Sequence, residues 1–360
     1  VVSGKTYEEY IDETFFKPLG MRNSYYGSTS RIIKNRAQGY QKEGEEYKNA
    51  AFLSMTQPYS AGSLISTVDD LFRWYTAVMD KKVVTPSSLE KAQTSYVLNN
   101  GGKTGYGYGW SIGNIQGSPM ISHGGGINGY LTSSLYLPDE KLFVALFSNC
   151  DCKDPGGPAT KMAALALGKP FEWKKISVPG NVLQSYEAVY SSEYNGNITI
   201  TYAEGKLYSM RSGGSRYELL PYEKDKFYFD EGFTTFHFNR NSDGEIISFI
   251  SKSTGQDVEF IRTDKPVPTI KKIKLEDELL KKYTGKYQLT PDFQIQIFRE
   301  EEKMYTQATG QNKVEIVAYE KHKFSVVGVD AKITFNLNEE GEVVSLTIHQ
   351  NGDHTAEKIE

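Results

Sequence analysis

The densest run of chemically able residues is Ser122-His123-Gly124-Gly125-Gly126-Ile127-Asn128-Gly129-Tyr130. His123 is the only histidine before His237, and an imidazole can hold, give or take a proton near neutral pH. The three glycines behind it carry no side chains, so a ligand can approach the backbone closely. The same letters spell G-x-G-x-x-G from Gly124 to Gly129, but a dinucleotide site needs a helix after the last glycine. Tyr130-Leu131-Thr132-Ser133-Ser134-Leu135-Tyr136-Leu137 follows instead and reads as a strand, which rejects that site. On these residues alone, a structural histidine at a glycine-rich strand start is the simpler reading. Other candidates are poorer. Cys150-Asp151-Cys152 has no nearby histidine and no second cysteine pair, so zinc is not expected. Cysteines one residue apart rarely close a relaxed disulfide, so two surface thiols or an occasional strained bond is expected. His349 and His354 lack carboxylates at a metal-like spacing. No metal and no cofactor is implied.

The elements that must position His123 can be read around it. Thr6-Tyr7-Glu8-Glu9 has the form of a capping box, and Tyr7, Ile11 and Phe15 recur at helical spacing until Lys17-Pro18-Leu19-Gly20. A second helix starts near Ser66-Thr67, with Asp69 and Asp70 opposing the dipole in its first turn and Leu71, Tyr75 and Val78 as its apolar stripe. Thr85-Pro86 begins a third. Leu131–Leu137 and Leu142–Asn149 read as a hairpin around Pro138-Asp139-Glu140-Lys141, and a fourth helix runs from about Pro158 to Leu167.

After Phe171 the texture becomes all-β, with short aromatic and β-branched runs between Asn-Gly, Gly-Gly and Asp-Gly turns. It also repeats without a gap at 97 residues. Lys174-Lys175-Ile176 meets Lys271-Lys272-Ile273, Tyr186 and Tyr190 meet Tyr283 and Tyr287, and Tyr222-Glu223-Lys224 meets Tyr319-Glu320-Lys321. This is a tandem duplication, with Thr263–Pro268 as a stiff linker. Each copy offers about eight short strands, which suits a small up-and-down barrel with no free edge, a β-sandwich being the alternative. The 25 Tyr and 18 Phe of the chain are then mostly barrel filling. A length of 360 residues agrees with two or three domains, and the expected division is 1–170, 174–263 and 271–360. The formal charge of −4, from 41 basic and 45 acidic residues, leaves no footprint for nucleic acid or an anionic membrane. No apolar run approaches the ~20 residues of a membrane-spanning helix.

Val2-Ser3-Gly4-Lys5-Thr6-Tyr7 with Pro18-Leu19-Gly20-Met21, Ala61-Gly62-Ser63-Leu64-Ile65-Ser66-Thr67 with Asp70-Leu71, Gly105-Tyr106-Gly107-Tyr108-Gly109-Trp110, His123-Gly124-Gly125, Tyr136-Leu137-Pro138 and Ser148-Asn149 form an ordered series. The series resembles the serine β-lactamase-related hydrolases: class C β-lactamases, D-Ala-D-Ala carboxypeptidases, D-aminopeptidases and esterases. The β repeats resemble the lipocalin-like domains that some members carry. The resemblance implies an α+β fold, an antiparallel sheet flanked by helices with a helical lobe beside it, here followed by the two barrels. It implies acyl-enzyme hydrolysis of a small peptide, ester or β-lactam, with His123, Gly124, Gly125 and Gly126 in the catalytic edge. His123 would tune protons or bind a substrate carboxylate, and the Gly126 amide would be an oxyanion donor. Asn128 and Tyr130 would line the pocket.

The family's nucleophile, the Ser of Ser-x-x-Lys, and its Tyr-x-Asn stand upstream of the Ser-Gly-Lys landmark. Here that landmark is Ser3-Gly4-Lys5, so both motifs are expected before Val1 and the chain alone is expected to be inactive. Ser88-Leu89-Glu90-Lys91, Tyr47-Lys48-Asn49 and Lys103-Thr104-Gly105 spell the three motifs in the wrong order and in polar, turn-like surroundings, and are read as coincidences. Residues 1–168 alone would leave a sheet edge and a helix-lobe face uncovered, so a partner is expected there, either the missing N-terminal half or a second copy of the chain. The resemblance also implies a periplasmic or cell-surface location. The alternative is a non-catalytic binding protein that uses its tandem barrels.

Overall fold

The computed structural model describes residues 2–28, 30–230 and 232–359. The chain forms two compact units, one running through Glu172 and including Lys252–Asp257, the other holding the rest.

In the first unit Thr6 caps as expected: its hydroxyl accepts from Glu9 N–H at 3.2 Å while the Glu9 carboxylate accepts from Thr6 N–H at 2.9 Å. The helix does not stay regular. It runs α over Tyr7–Ile11, widens to a π turn over Asp12–Phe16, and closes α over Lys17–Leu19 before Gly20 turns left-handed at φ 68°. Helix α1 (Val68–Met79) is capped by Thr67 and buries Tyr75 and Val78. Asp70 does more than oppose its dipole. It is fully buried and accepts from Asn23 N–H at 2.7 Å, Ser24 Oγ at 2.9 Å and Arg73 at 2.6 Å, pinning the preceding loop to the helix. Helix α2 covers Pro86–Ala92.

A four-stranded antiparallel sheet follows in the order β1 (Ser111–Ile115), β2 (Ser118–Ile127), β3 (Tyr130–Leu137), β4 (Leu142–Ser148). Helix α3 (Gly156–Ala166) packs on β3 and β4 through Ala159, Ala163 and Ala164, whose small side chains let it approach the sheet around Ile115, Leu135 and Leu137. It begins two residues earlier than its apolar pattern, at Gly156-Gly157.

The second unit holds two closed eight-stranded antiparallel barrels, which removes the sandwich alternative. The first runs from β5 (Ala188–Ser192) to β12 (Val258–Arg262) and closes through the pair Ile261↔Ser191. The second runs from β13 (Gly285–Thr290) to β20 (Asp353–Lys358) and closes through Tyr287↔Lys358. Strands neighbour each other in chain order, so neither barrel keeps an edge. Aromatics fill the interiors. Phe249 lies stacked with Phe236 at 4.3 Å and with Phe260 at 5.0 Å, and Tyr283 stacks on Phe335 at 4.4 Å.

The duplication is preserved bond by bond. Tyr190 donates to Tyr186 O at 2.9 Å as Tyr287 does to Tyr283 O at 2.7 Å. Asn239 donates to Ser248 as Asn336 does to Ser345, and Ile176 N–H bonds Pro221 O as Ile273 N–H bonds Ala318 O. The copies differ at one end. Tyr186 donates to Asp225, which is also held by Arg240, whereas Tyr283 meets His322, and Leu337 stands at the position of Arg240.

Of the two states expected for Cys150 and Cys152, the structure holds the disulfide; the bridge closes within the turn after β4, where Cys150 is held by a bridge to Tyr40. His349 meets a single carboxylate, Asp353 at 2.6 Å, because the β hairpin folds the chain back on itself.

Candidate active site

Strand β2 outruns β1. The last pair between them is Ser111↔Ser122, whereas β3 continues along β2 from Ile121↔Tyr136 to Ile127↔Tyr130. Residues 123–127 are therefore paired on one side and open on the other. His123, Gly124, Gly125 and Gly126 are all exposed on this stretch. A Cβ on Gly125 would come within 2.7 Å of Thr132 Oγ1 on β3, so any larger residue there would force that side chain to shift.

The His123 ring is held at both nitrogens. Nδ1 is 2.6 Å from Gly124 O and Nε2 is 2.8 Å from Tyr106 Oη. A carbonyl only accepts, so Nδ1 carries the proton and the Tyr106 hydroxyl donates to the Nε2 lone pair. The backbone behind the ring is fixed from α1. Ser134 Oγ donates to His123 O at 3.2 Å and lies 3.1 Å from the hydroxyl of Tyr75. Burial pushes the Tyr75 phenol above its ordinary pKa, so it stays protonated in this chain of bonds.

Sequence reasoning noted the loop that carries Tyr106 but gave that tyrosine no role. The signal was the alternation of glycine with aromatics in Gly105–Trp110. Gly107 N–H bonds Trp110 O at 2.8 Å, and a Cβ on Gly107 would lie 2.0 Å from Ala92 O. The tight loop pairs Tyr106 with Ser111, one strand away from Ser122 and His123.

The two expected pocket residues have other bonds. Asn128 donates to Ala51 O at 3.1 Å and Tyr130 donates to Ala37 O at 2.6 Å, so both tie the β2–β3 turn to the preceding loops. The look-alike motifs lie exposed on separate elements. Ser88 sits in the first turn of α2, where its N–H and Oγ both bond the capping Thr85. Tyr47 is on a surface hairpin and Lys103 on an exposed turn. Nothing in this arrangement desolvates Lys91, as a catalytic base would require.

The expected uncovered faces are present. Among the described residues β4 pairs only with β3. Phe72 on α1, Phe147 on β4 and Met162 and Leu165 on α3 remain exposed, Leu165 at 62%.

Residues 1–169 match the family model described as Beta-lactamase, and residues 270–360 match a domain of unknown function, DUF3471. The chain is 26% identical to Penicillin-binding protein 4* of Bacillus subtilis over 72% of its own length and 62% of the relative's. It is 24% identical to the D-aminopeptidase of Gluconobacter oxydans over 47% of its length and 32% of that protein's. Among solved structures it is similar to the octameric penicillin-binding protein homologue from Pyrococcus abyssi, with 26% identity, a TM-score of 0.42, and coverage of 72% of this chain and 61% of that one. The chain thus spans less than two thirds of the length of these relatives. Its first 169 residues are a β-lactamase- and penicillin-binding-protein-like domain, and two closed β-barrels follow it.

Proposed function

We propose that residues 2–169 supply one wall of a serine acyl-transfer site that hydrolyses a D-amino-acid peptide, a β-lactam or a small ester. The observation that carries this reading is the open edge of β2 at His123–Gly126, beside an imidazole held at both nitrogens. On this reading the serine oxygen bonds to the substrate carbonyl carbon, and the carbonyl electron pair moves onto oxygen. The Gly126 N–H helps to hold that oxyanion. The serine proton passes to a base and then to the leaving group as the carbonyl re-forms and its bond to that group breaks. Water then adds to the acyl-enzyme, gives its proton through the base back to the serine oxygen, and releases the acid. Gly124 and Gly125 keep the edge clear for an extended substrate.

The nucleophile and base come from Ser-x-x-Lys and Tyr-x-Asn on polypeptide outside these 360 residues. That polypeptide covers β4, Phe72, Phe147 and the outer face of α3. The likeness to a penicillin-binding protein and a D-aminopeptidase supports the substrate class, and with cell-wall-like substrates the site of action is the periplasm or cell surface. The eight strands of each barrel, paired in chain order, support the lipocalin-like reading of these domains. Their interiors are filled by side chains such as Phe249 and Phe260, which weighs against a ligand inside them. The test is incubation of the 360-residue chain with a fluorophosphonate. No serine should be labelled, and stable labelling of Ser88 that disappears in Ser88→Ala would overturn the reading.

A further inference from the structure

We infer that Tyr106 is the positioning residue for His123, and that its hydroxyl, by donating to Nε2, stabilises the Nδ1-protonated ring that the Gly124 carbonyl selects. The inference rests on the proposed function for what the ring does, and on geometry alone for how the ring is held. An imidazole on an exposed strand is free to rotate and to carry its single proton on either nitrogen. Here the Gly124 carbonyl takes the proton of Nδ1 at 2.6 Å, and the Tyr106 hydroxyl fills the Nε2 lone pair at 2.8 Å. The two bonds are complementary: a proton on Nε2 would leave Gly124 O facing a lone pair and would oblige the Tyr106 hydroxyl to turn and accept instead of donate. The rings also meet edge to face at 5.9 Å, which restricts rotation.

Tyr106 is itself fixed. Its carbonyl accepts from Tyr96 N–H at 2.8 Å and from Thr104 Oγ1 at 3.1 Å, and its loop is locked by the close approach of Gly107 to Ala92. The phenol therefore reaches His123 from a rigid support.

The consequence is chemical. With its own proton donated to Nε2, the Tyr106 hydroxyl keeps only its lone pairs for other groups, and the His123 ring has no free lone pair, so on the proposed function His123 acts through Tyr106 rather than as a free base.

The test reads the ring directly and needs no activity, so it stands or falls independently of the hydrolase reading. In long-range proton–nitrogen NMR spectra of the ¹⁵N-labelled 360-residue chain at alkaline pH, His123 is assigned by its loss in His123→Gln. The expected result is a protonated-type signal for Nδ1 and an unprotonated-type signal for Nε2. In Tyr106→Phe the two signals should move toward each other as the second tautomer appears, while the other four histidines stay in place. An Nε2-protonated ring in the unsubstituted chain overturns the inference, and so does a Tyr106→Phe spectrum in which His123 is unchanged.

Discussion

His123 owes its geometry to short polar contacts that a list of residues does not display. The His-Gly-Gly-Gly run was visible in the sequence, because glycine triplets beside a lone histidine are informative. Tyr106 was not, because its bond to His123 spans 17 positions and depends on how one glycine loop folds. In an assembly that carries the nucleophile, His123→Ala should slow acylation by about 10²–10³-fold, the range for loss of one catalytic or oxyanion-positioning group; stopped-flow kinetics with a chromogenic ester would show it, and an unchanged rate would remove His123 from the site. Ser63 gives a second prediction at this scale. Its hydroxyl is buried with no hydrogen-bond partner in the structure, a state that costs about 1–3 kcal/mol. Ser63→Ala should therefore raise stability by about 1 kcal/mol, read from the urea midpoint.

At the scale of elements, periodicity and turn signals carried most of the information. The repeat located both barrels because matching residues recur at matching strand positions, and the Thr67 and Thr85 caps marked α1 and α2. The π turn after Ile11 was not legible, since its residues keep helical spacing and only the hydrogen-bond pattern changes. Nor was the burial of Asp70, whose partners Asn23 and Ser24 lie far away in sequence. Asp70→Ala leaves those two donors without their acceptor and should cost about 3 kcal/mol. Phe249→Ala empties the stack between Phe236 and Phe260 and should cost about 3–5 kcal/mol, seen as loss of the barrel's thermal transition at the original temperature.

The polar end of the first barrel adds a pH dependence. Burial alone would raise the pKa of Asp225, but its bonds to Arg240 and Tyr186 outweigh burial and hold the carboxyl below its ordinary range. Burial, with Asp225 beside it, pushes the Tyr186 phenol up to about 12. A depressed carboxylate stabilises the fold above its unfolded pKa, and that stability is lost as pH falls through the folded value. Asp225→Asn should accordingly be less stable than the unsubstituted chain at pH 7 and lose less between pH 5 and pH 2. Parallel acid titrations followed by circular dichroism would decide this.

For the whole molecule, the informative surface is the one left bare. The open edge of β4, the exposed Phe72 and Phe147, and the exposed Met162 and Leu165 of α3 are apolar surface of the kind a partner covers. The central claim is that a second piece of polypeptide covers this area and brings the nucleophile to the open edge of β2. The most direct test is to supply a segment bearing Ser-x-x-Lys and Tyr-x-Asn, fused ahead of Val2 or added in trans, and to treat the product with fluorescent penicillin or fluorophosphonate. The account predicts one covalent label, on the serine of Ser-x-x-Lys, formed far more slowly when His123 is replaced by alanine. A label that forms equally well without that segment, or at the same rate in His123→Ala, would contradict it.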